Sequence, residues 1–189
     1  MASWESCASS PAPPGTGKGT VIEALRAREP DLWYSVSATT RSPRPGEVDG
    51  RDYHFLDRPE FERRAAAGGF LEYFDVYGDL KGTPRAPIEQ RLAGEGDVLL
   101  EVDVQGALRV RETFPEALLI FLRPPSREEQ SARLRARGHD LPDDVERRLA
   151  EADVEEAQME AFDAVVVNDD VDRAAEEIAG ILEIRRKES

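Results

Sequence analysis

The chain has 189 residues, 40% of them hydrophobic, and a formal net charge of −14 at pH 7. It is long enough for one folding unit with a sizeable core and too acidic for a general nucleic-acid or anionic-membrane surface. A single cysteine, Cys7, excludes an intrachain disulfide framework and a thiolate metal cluster, and His54 and His139 are too few for a histidine-rich metal site. No run resembles a signal peptide or reaches the length of a membrane span, so a cytoplasmic location is expected.

The first 14 residues are rich in Ser and Pro, and between positions 3 and 10 only Trp4, Cys7 and Ala8 are apolar. Gly15-Thr16-Gly17-Lys18-Gly19-Thr20 then opens a helical pattern over 20–28, with Val21, Ile22 and Leu25 on one face. A glycine-rich turn into a helix points backbone N–H groups at anionic oxygens, the helix N-terminus adds partial positive charge, and Lys18 can reach the outer phosphates of a nucleotide. A nucleoside triphosphate is therefore the first ligand implied, with Ala12, Pro13 and Pro14 forming the approach to the loop. Taken alone, the segment also fits a Pro/Gly-rich turn.

Residues 41–77 read as an inserted α+β subdomain outside the main sheet: a Pro/Gly-rich turn, a short strand at 53–56, a helix near 60–67 and an aromatic-rich strand at 70–76. Beyond it, nearly continuous apolar runs at 98–102, 117–122 and 164–167 suit strands of a parallel sheet covered on both faces. Helical patterns at 104–113, 127–137, 143–161 and 172–186 alternate with them, and Pro30, Pro84, Pro115, Pro124 and Pro125 punctuate the order. The expected fold is α/β with parallel crossovers.

Chemistry concentrates in the insert. Residues 35–55 gather hydroxyls, Arg41 and Arg44 held near prolines, and Tyr53. An arginine fork takes two phosphate oxygens at once, and a tyrosine can add a hydroxyl donor to the same group. This stretch strongly resembles the guanylate kinase family. The resemblance continues through Gly82-Thr83-Pro84-Arg85, Leu100-Glu101-Val102-Asp103, residues 133–138 and Val166-Val167-Asn168-Asp169-Asp170, and so covers the chain from about residue 12 onward.

The resemblance implies a phosphate-loop nucleoside monophosphate kinase fold, with ATP and GMP (or dGMP) as substrates and magnesium as cofactor. It implies a core at about 1–37, 84–126 and 151–189, a GMP-binding insert at about 38–83 and a helical lid at about 127–150. Arg41, Arg44 and Tyr53 are then expected on the GMP phosphate and Ser37 in the base pocket, with Glu72, Thr83 and Glu101 reading guanine. A carboxylate can accept from guanine's ring N–H and amino group, whereas adenine has no donor at N1. Asp103, at the C-terminal end of an apolar strand, is expected to hold magnesium directly or through water; the competing role is a helix N-cap. Arg133, Arg137 and Arg148 are expected to close on ATP and the transferring phosphoryl group, against a plain surface pairing of Glu129 with Arg133. Asn168 is expected beside adenine, with helix capping as the alternative. Neither histidine is needed as a general base.

Three features depart from the family pattern. An apolar strand normally leads into the loop, and it should lie at the centre of the sheet; residues 3–10 are largely polar here. A shifted start site or reading frame is one hypothesis for this, and an unaltered N-terminus found on sequencing would remove it. Pro14 lacks the hydroxyl and backbone N–H of the usual serine, a loss expected to weaken ATP binding roughly 10- to 100-fold if that donor meets phosphate. Lys81 stands where a tyrosine is expected on the GMP phosphate. A guanylate-kinase-like module that binds phosphopeptides is the alternative from another functional class, but it has no use for the loop lysine or the lid arginines. Composition leaves oligomeric state open.

Overall fold

The computed structural model describes residues 6–9, 16–76, 78–94, 96–136 and 142–188. In chain order the elements are β1 (Ser6–Ser9), α1 (Lys18–Arg28), β2 (Trp33–Tyr34), β3 (Ala38–Thr39), β4 (His54–Phe55), α2 (Arg58–Ala66), β5 (Phe70–Val76) and β6 (Asp79–Pro84). They continue with α3 (Arg85–Ala93), β7 (Val98–Glu101), α4 (Val104–Thr113), β8 (Leu118–Arg123), α5 (Arg127–Ala136), α6 (Pro142–Glu156), a 3-10 turn (Met159–Ala161), β9 (Ala164–Val167) and α7 (Val171–Glu188).

Five strands form a parallel sheet in the order β2-β7-β1-β8-β9. Alternation along β7 and β8 divides the core between the two faces. Leu99, Leu118, Ile120 and Leu122 pack with Val21, Ile22 and Leu25 of α1 and Ile178 and Leu182 of α7. Val98, Leu100, Leu119 and Phe121 pack with Ile88 and Leu92 of α3 and Ala107 and Val110 of α4. This two-faced burial is why these strands read as unbroken apolar runs. β1 lies between β7 and β8, Ser6–Ser9 pairing with Val98–Glu101 on one side and Cys7–Ser9 with Leu118–Ile120 on the other. The central place expected for that strand is thus filled by a segment without an apolar pattern.

The insert builds its own four-stranded sheet, β4-β3-β6-β5, on a small core of Ala38, Phe61 and Phe70. Phe61 stacks on Phe70 with centroids 4.3 Å apart. Asp57 caps α2, accepting from the Glu60 N–H, and Pro59 stands in the first turn, which starts the helix two residues earlier than the sequence pattern suggests. The expected helix over 143–161 is broken. α6 ends at Glu156 and the chain tightens through the 3-10 turn, so that Phe162 enters the core edge-on to Phe121 at 5.3 Å and the Asp163 carboxylate accepts from the Leu119 N–H at 2.7 Å.

Near its C-terminus, α7 is tied through Arg186 to the end of α1 and to the entry of β7. Arg186 donates to Glu29 Oε2 at 2.7 Å and to Asp97 Oδ2 at 2.7 and 3.0 Å, and these two carboxylates raise its pKa against the effect of burial. Arg186→Met is expected to lower stability by about 1–2 kcal/mol, a fall in Tm of about 2–8 °C in a thermal melt. A melt unchanged within about 1 °C would show that the network contributes nothing.

Candidate active site

The phosphate loop meets the helix at Gly17, whose φ of +75° is the left-handed conformation glycine adopts without cost. A Cβ there would also lie 2.8 Å from Asn168 Nδ2, so the side chains around the loop close directly on its backbone. Asn168, fully buried just beyond β9, donates from Nδ2 to the Thr16 carbonyl, and Arg133 Nη1 from α5 donates to the same carbonyl at 3.3 Å and to the Asn168 carbonyl at 3.4 Å. Thr16, Gly17, Arg133 and Asn168 are thereby brought together, while Gly19 and Thr20 are exposed in the first turn of α1. Arg133 also pairs with Glu129 at 2.9 Å, so the surface-pairing alternative and the loop contact hold at once. Asn168 Oδ1 is buried with no hydrogen-bond partner among the described residues. Ala12, Pro13, Pro14, Gly15 and Arg137 lie outside the described residues.

Lys18, the first residue of α1, turns its ammonium into a cavity of about 260 Å³ lined also by Glu72, Phe74, Lys81, Glu101, Asp103, Glu151 and Glu155. Its Nζ lies 3.0 Å from Glu101 Oε1, and the Tyr34 hydroxyl donates to Glu101 Oε2 at 2.9 Å. Burial disfavours the Glu101 charge, but Lys18 and Lys81 outweigh it and hold the carboxyl down at about 2. Burial lowers the Lys18 pKa, with Glu101 opposing the shift, and burial with the Glu101 charge pushes the Tyr34 phenol up. A broader open groove, about 680 Å³, runs along the β2 edge against Arg26, Trp33 and Arg91 and holds none of the expected site residues.

Glu72 and Thr83 face each other in the β5–β6 ladder, and the Thr83 hydroxyl donates to Glu72 Oε1. Gly106, in the first turn of α4, faces the Glu72 carboxyl: a Cβ there would stand 3.4 Å from its carboxyl carbon, an ordinary contact. Burial, reinforced by the nearby Asp103 charge, raises the Glu72 pKa to about 7 against the pull of Thr83 and Lys81. Asp103 itself caps α4, its Oδ1 accepting from the Gly106 N–H at 2.6 Å. The capping alternative is therefore realised, by one oxygen of a carboxylate that also lines the cavity.

On the phosphate side, Arg41 lies 5.5 Å and Lys81 Nζ 5.5 Å from the Tyr53 ring centroid. The Arg41 fork is taken by Glu47 through two bonds of 3.0 and 2.8 Å, and Glu47 also accepts from the Arg44 N–H at 2.6 Å. Arg44 is exposed on the turn, and Ser37 is buried between β2 and β3 without lining the cavity. Sequence reasoning missed Tyr34, Glu151 and Glu155. The signal for the last two was available: Arg148, Glu151 and Glu155 fall at i, i+3, i+7 on one face of α6. Burial and the Asp103 charge raise the Glu155 pKa to about 7.

A parallel α/β sheet whose central strand leads to a glycine loop and a half-buried lysine, joined to an insert that presents carboxylates and arginines, defines a nucleotide-dependent phosphotransferase. A model of the guanylate kinase family matches residues 11–185. The guanylate kinase of Nocardia farcinica is 50% identical over 171 residues, covering 89% of each chain. That of Gloeobacter violaceus is 51% identical over 170 residues, covering 90% of this chain and 83% of the relative. The crystal structure of guanylate kinase from Anaplasma phagocytophilum superimposes with a TM-score of 0.74 at 34% identity, covering 96% of this chain and 84% of that one. The chain belongs to the guanylate kinase family.

Proposed function

We propose that the chain transfers the terminal phosphoryl group of ATP to GMP or dGMP, giving ADP and GDP or dGDP. The observation that carries this reading is the convergence, in one cavity, of the loop lysine Lys18 with Glu72 and Glu101. One end of the cavity meets donor phosphates and the other meets a base with adjacent N–H donors. Lys18 and the N–H groups at the start of α1 would hold the β- and γ-phosphates, with Arg133, Arg137 and Arg148 closing from the α5–α6 lid. Asn168 Oδ1 offers its acceptor to the adenine amino group. Glu72, Thr83, Glu101 and Ser37 would orient guanine, while Arg41, Arg44, Tyr53 and Lys81 take the acceptor phosphate. Alignment and charge neutralisation drive the step, and no protein base is required.

Magnesium fits the donor set. Asp103 keeps one oxygen for its cap, and its charge together with burial raises the nearby Glu155, a crowding of carboxylates that a divalent cation would relieve. Among the described residues no group of three or more such side chains is arranged around a metal, so phosphates and water would complete the coordination. Bound with ATP, the cation would neutralise phosphate oxygens, with Asp103 holding it directly or through water. Residues 38–83 and 127–150 are read as the mobile GMP-binding insert and lid on a core of 1–37, 84–126 and 151–189. No described helix is long and apolar enough to cross a membrane; a cytoplasmic location suits the substrates.

Coupled ADP release with ATP and magnesium tests the reading, with GMP, dGMP, AMP and UMP compared as acceptors. Turnover is expected with the two guanine nucleotides and at least about 100-fold lower kcat/KM with AMP and UMP. Absence of GMP-dependent turnover would sink the proposal.

A further inference from the structure

The geometry points to Lys81 as a catalytic cation that acts on the transferring phosphoryl group itself, beyond holding the acceptor phosphate. The inference rests on the kinase reading of this site.

Lys81 sits on β6 opposite Phe74 and Thr39, and its side chain enters the same cavity as Lys18. Burial works against its ammonium, but its surroundings, Glu101, Glu72 and Asp103 among them, more than offset this and raise its pKa, so it is a cation at neutral pH. Its place between the two substrate sites is defined from both sides. Toward the donor it lines the same cavity as the phosphate-loop lysine and Glu101, which pair at 3.0 Å. Toward the acceptor it faces the Tyr53 ring, against which Arg41 also lies. Lys81 thus shares one cavity with Lys18 and Glu101 and one aromatic ring with Arg41, which sets it between the groups read as meeting the donor and acceptor phosphates.

In the transfer, a lone pair on an acceptor-phosphate oxygen forms the new bond to the γ-phosphorus as the bond from that phosphorus to the β–γ bridging oxygen breaks. The electron pair of the broken bond stays on departing ADP, and no proton moves because the acceptor phosphate is already largely ionised near neutral pH. Charge accumulates on oxygens between the two phosphates, where a cation at the Lys81 position acts on the transition state more strongly than on either ground state. A tyrosine can donate a hydrogen bond there but brings no charge.

The test compares Lys81→Tyr and Lys81→Met with the parent, measuring kcat, KM for GMP and calorimetric GMP affinity. Lys81→Tyr is expected to bind GMP within about threefold of the parent while kcat falls about 10- to 100-fold. Lys81→Met is expected to show the same loss of kcat with weaker GMP binding as well. If Lys81→Met does not fold, Lys81→Tyr alone decides. Parent-like kcat in Lys81→Tyr, or a loss confined to KM, would overturn the inference while leaving the kinase reading intact. Absence of turnover in the parent would instead overturn the kinase reading, and the inference with it.

Discussion

Lys18→Met is expected to reduce kcat for GMP phosphorylation by about 10³-fold, because the loop lysine is the half-buried cation at the start of α1 that can follow charge onto the β–γ bridge. The substitution also has a stability signature. Glu101 owes its depressed pKa, about 2, first to Lys18 and then to Lys81. A carboxyl depressed in the folded state stabilises the protein above its unfolded value, near 4.5, and that contribution is lost as pH falls toward 2. With methionine at position 18, Tyr34 and Lys81 remain but the 3.0 Å ion pair is gone. The Glu101 pKa then rises and its contribution at pH 7 shrinks, while loss of the lysine relieves the burial that lowers the Lys18 pKa; the distinguishing signature is a shallower acid-unfolding limb below pH 4.5. Steady-state kinetics and urea melts at pH 3, 5 and 7 measure both effects. A variant within tenfold of parental kcat would remove Lys18 from the chemistry.

Glu72→Gln is expected to cost about 10²- to 10³-fold in kcat/KM for GMP, since guanine's paired donors lose their anionic acceptor. It should simultaneously stabilise the free protein at alkaline pH. The Glu72 pKa is raised to about 7, so between roughly 4.5 and 7 the folded chain retains a proton the unfolded chain has released. Stability from this group is therefore full at low pH and declines as pH rises through that window. Glutamine removes the decline and should leave the variant up to about 3 kcal/mol more stable than the parent at pH 8. Guanine binding has the opposite dependence because it needs the ionised form, so parental GMP affinity at pH 6 is expected to be about tenfold below that at pH 8. A flat profile in the parent, or a variant with neither altered melt nor altered affinity, would remove Glu72 from base recognition.

Legibility in the sequence followed burial. β7, β8 and β9 are covered on both faces and read as apolar runs, and β5 emerged with its observed limits because its aromatics pack against α2. β1 carries no such pattern, and its central place was readable only from resemblance. α3 was missed because Pro84 looks like loop punctuation; in the structure Pro84 is its N-cap and Pro87 lies in its first turn, where a missing N–H costs little. β6 was hidden because its six residues include Gly82 and end on Pro84. At the site, the glycine-rich turn pointed to Lys18 and the resemblance to guanylate kinases pointed to Glu72, Glu101 and Lys81, but pairings between distant segments were invisible. Tyr34 meets Glu101 across 67 positions, and Glu155 shares the cavity with Lys18 from the far end of the chain.

The grip of Glu47 on Arg41, like that of Glu101 on Lys18 and Glu129 on Arg133, gives these three cations a stand-in for a phosphate oxygen. Ligand entry is then an exchange against a tethered competitor whose local concentration is on the order of millimolar or above. Chloride and free orthophosphate meet that competitor with single weak contacts, whereas a nucleotide brings base, sugar and phosphate together.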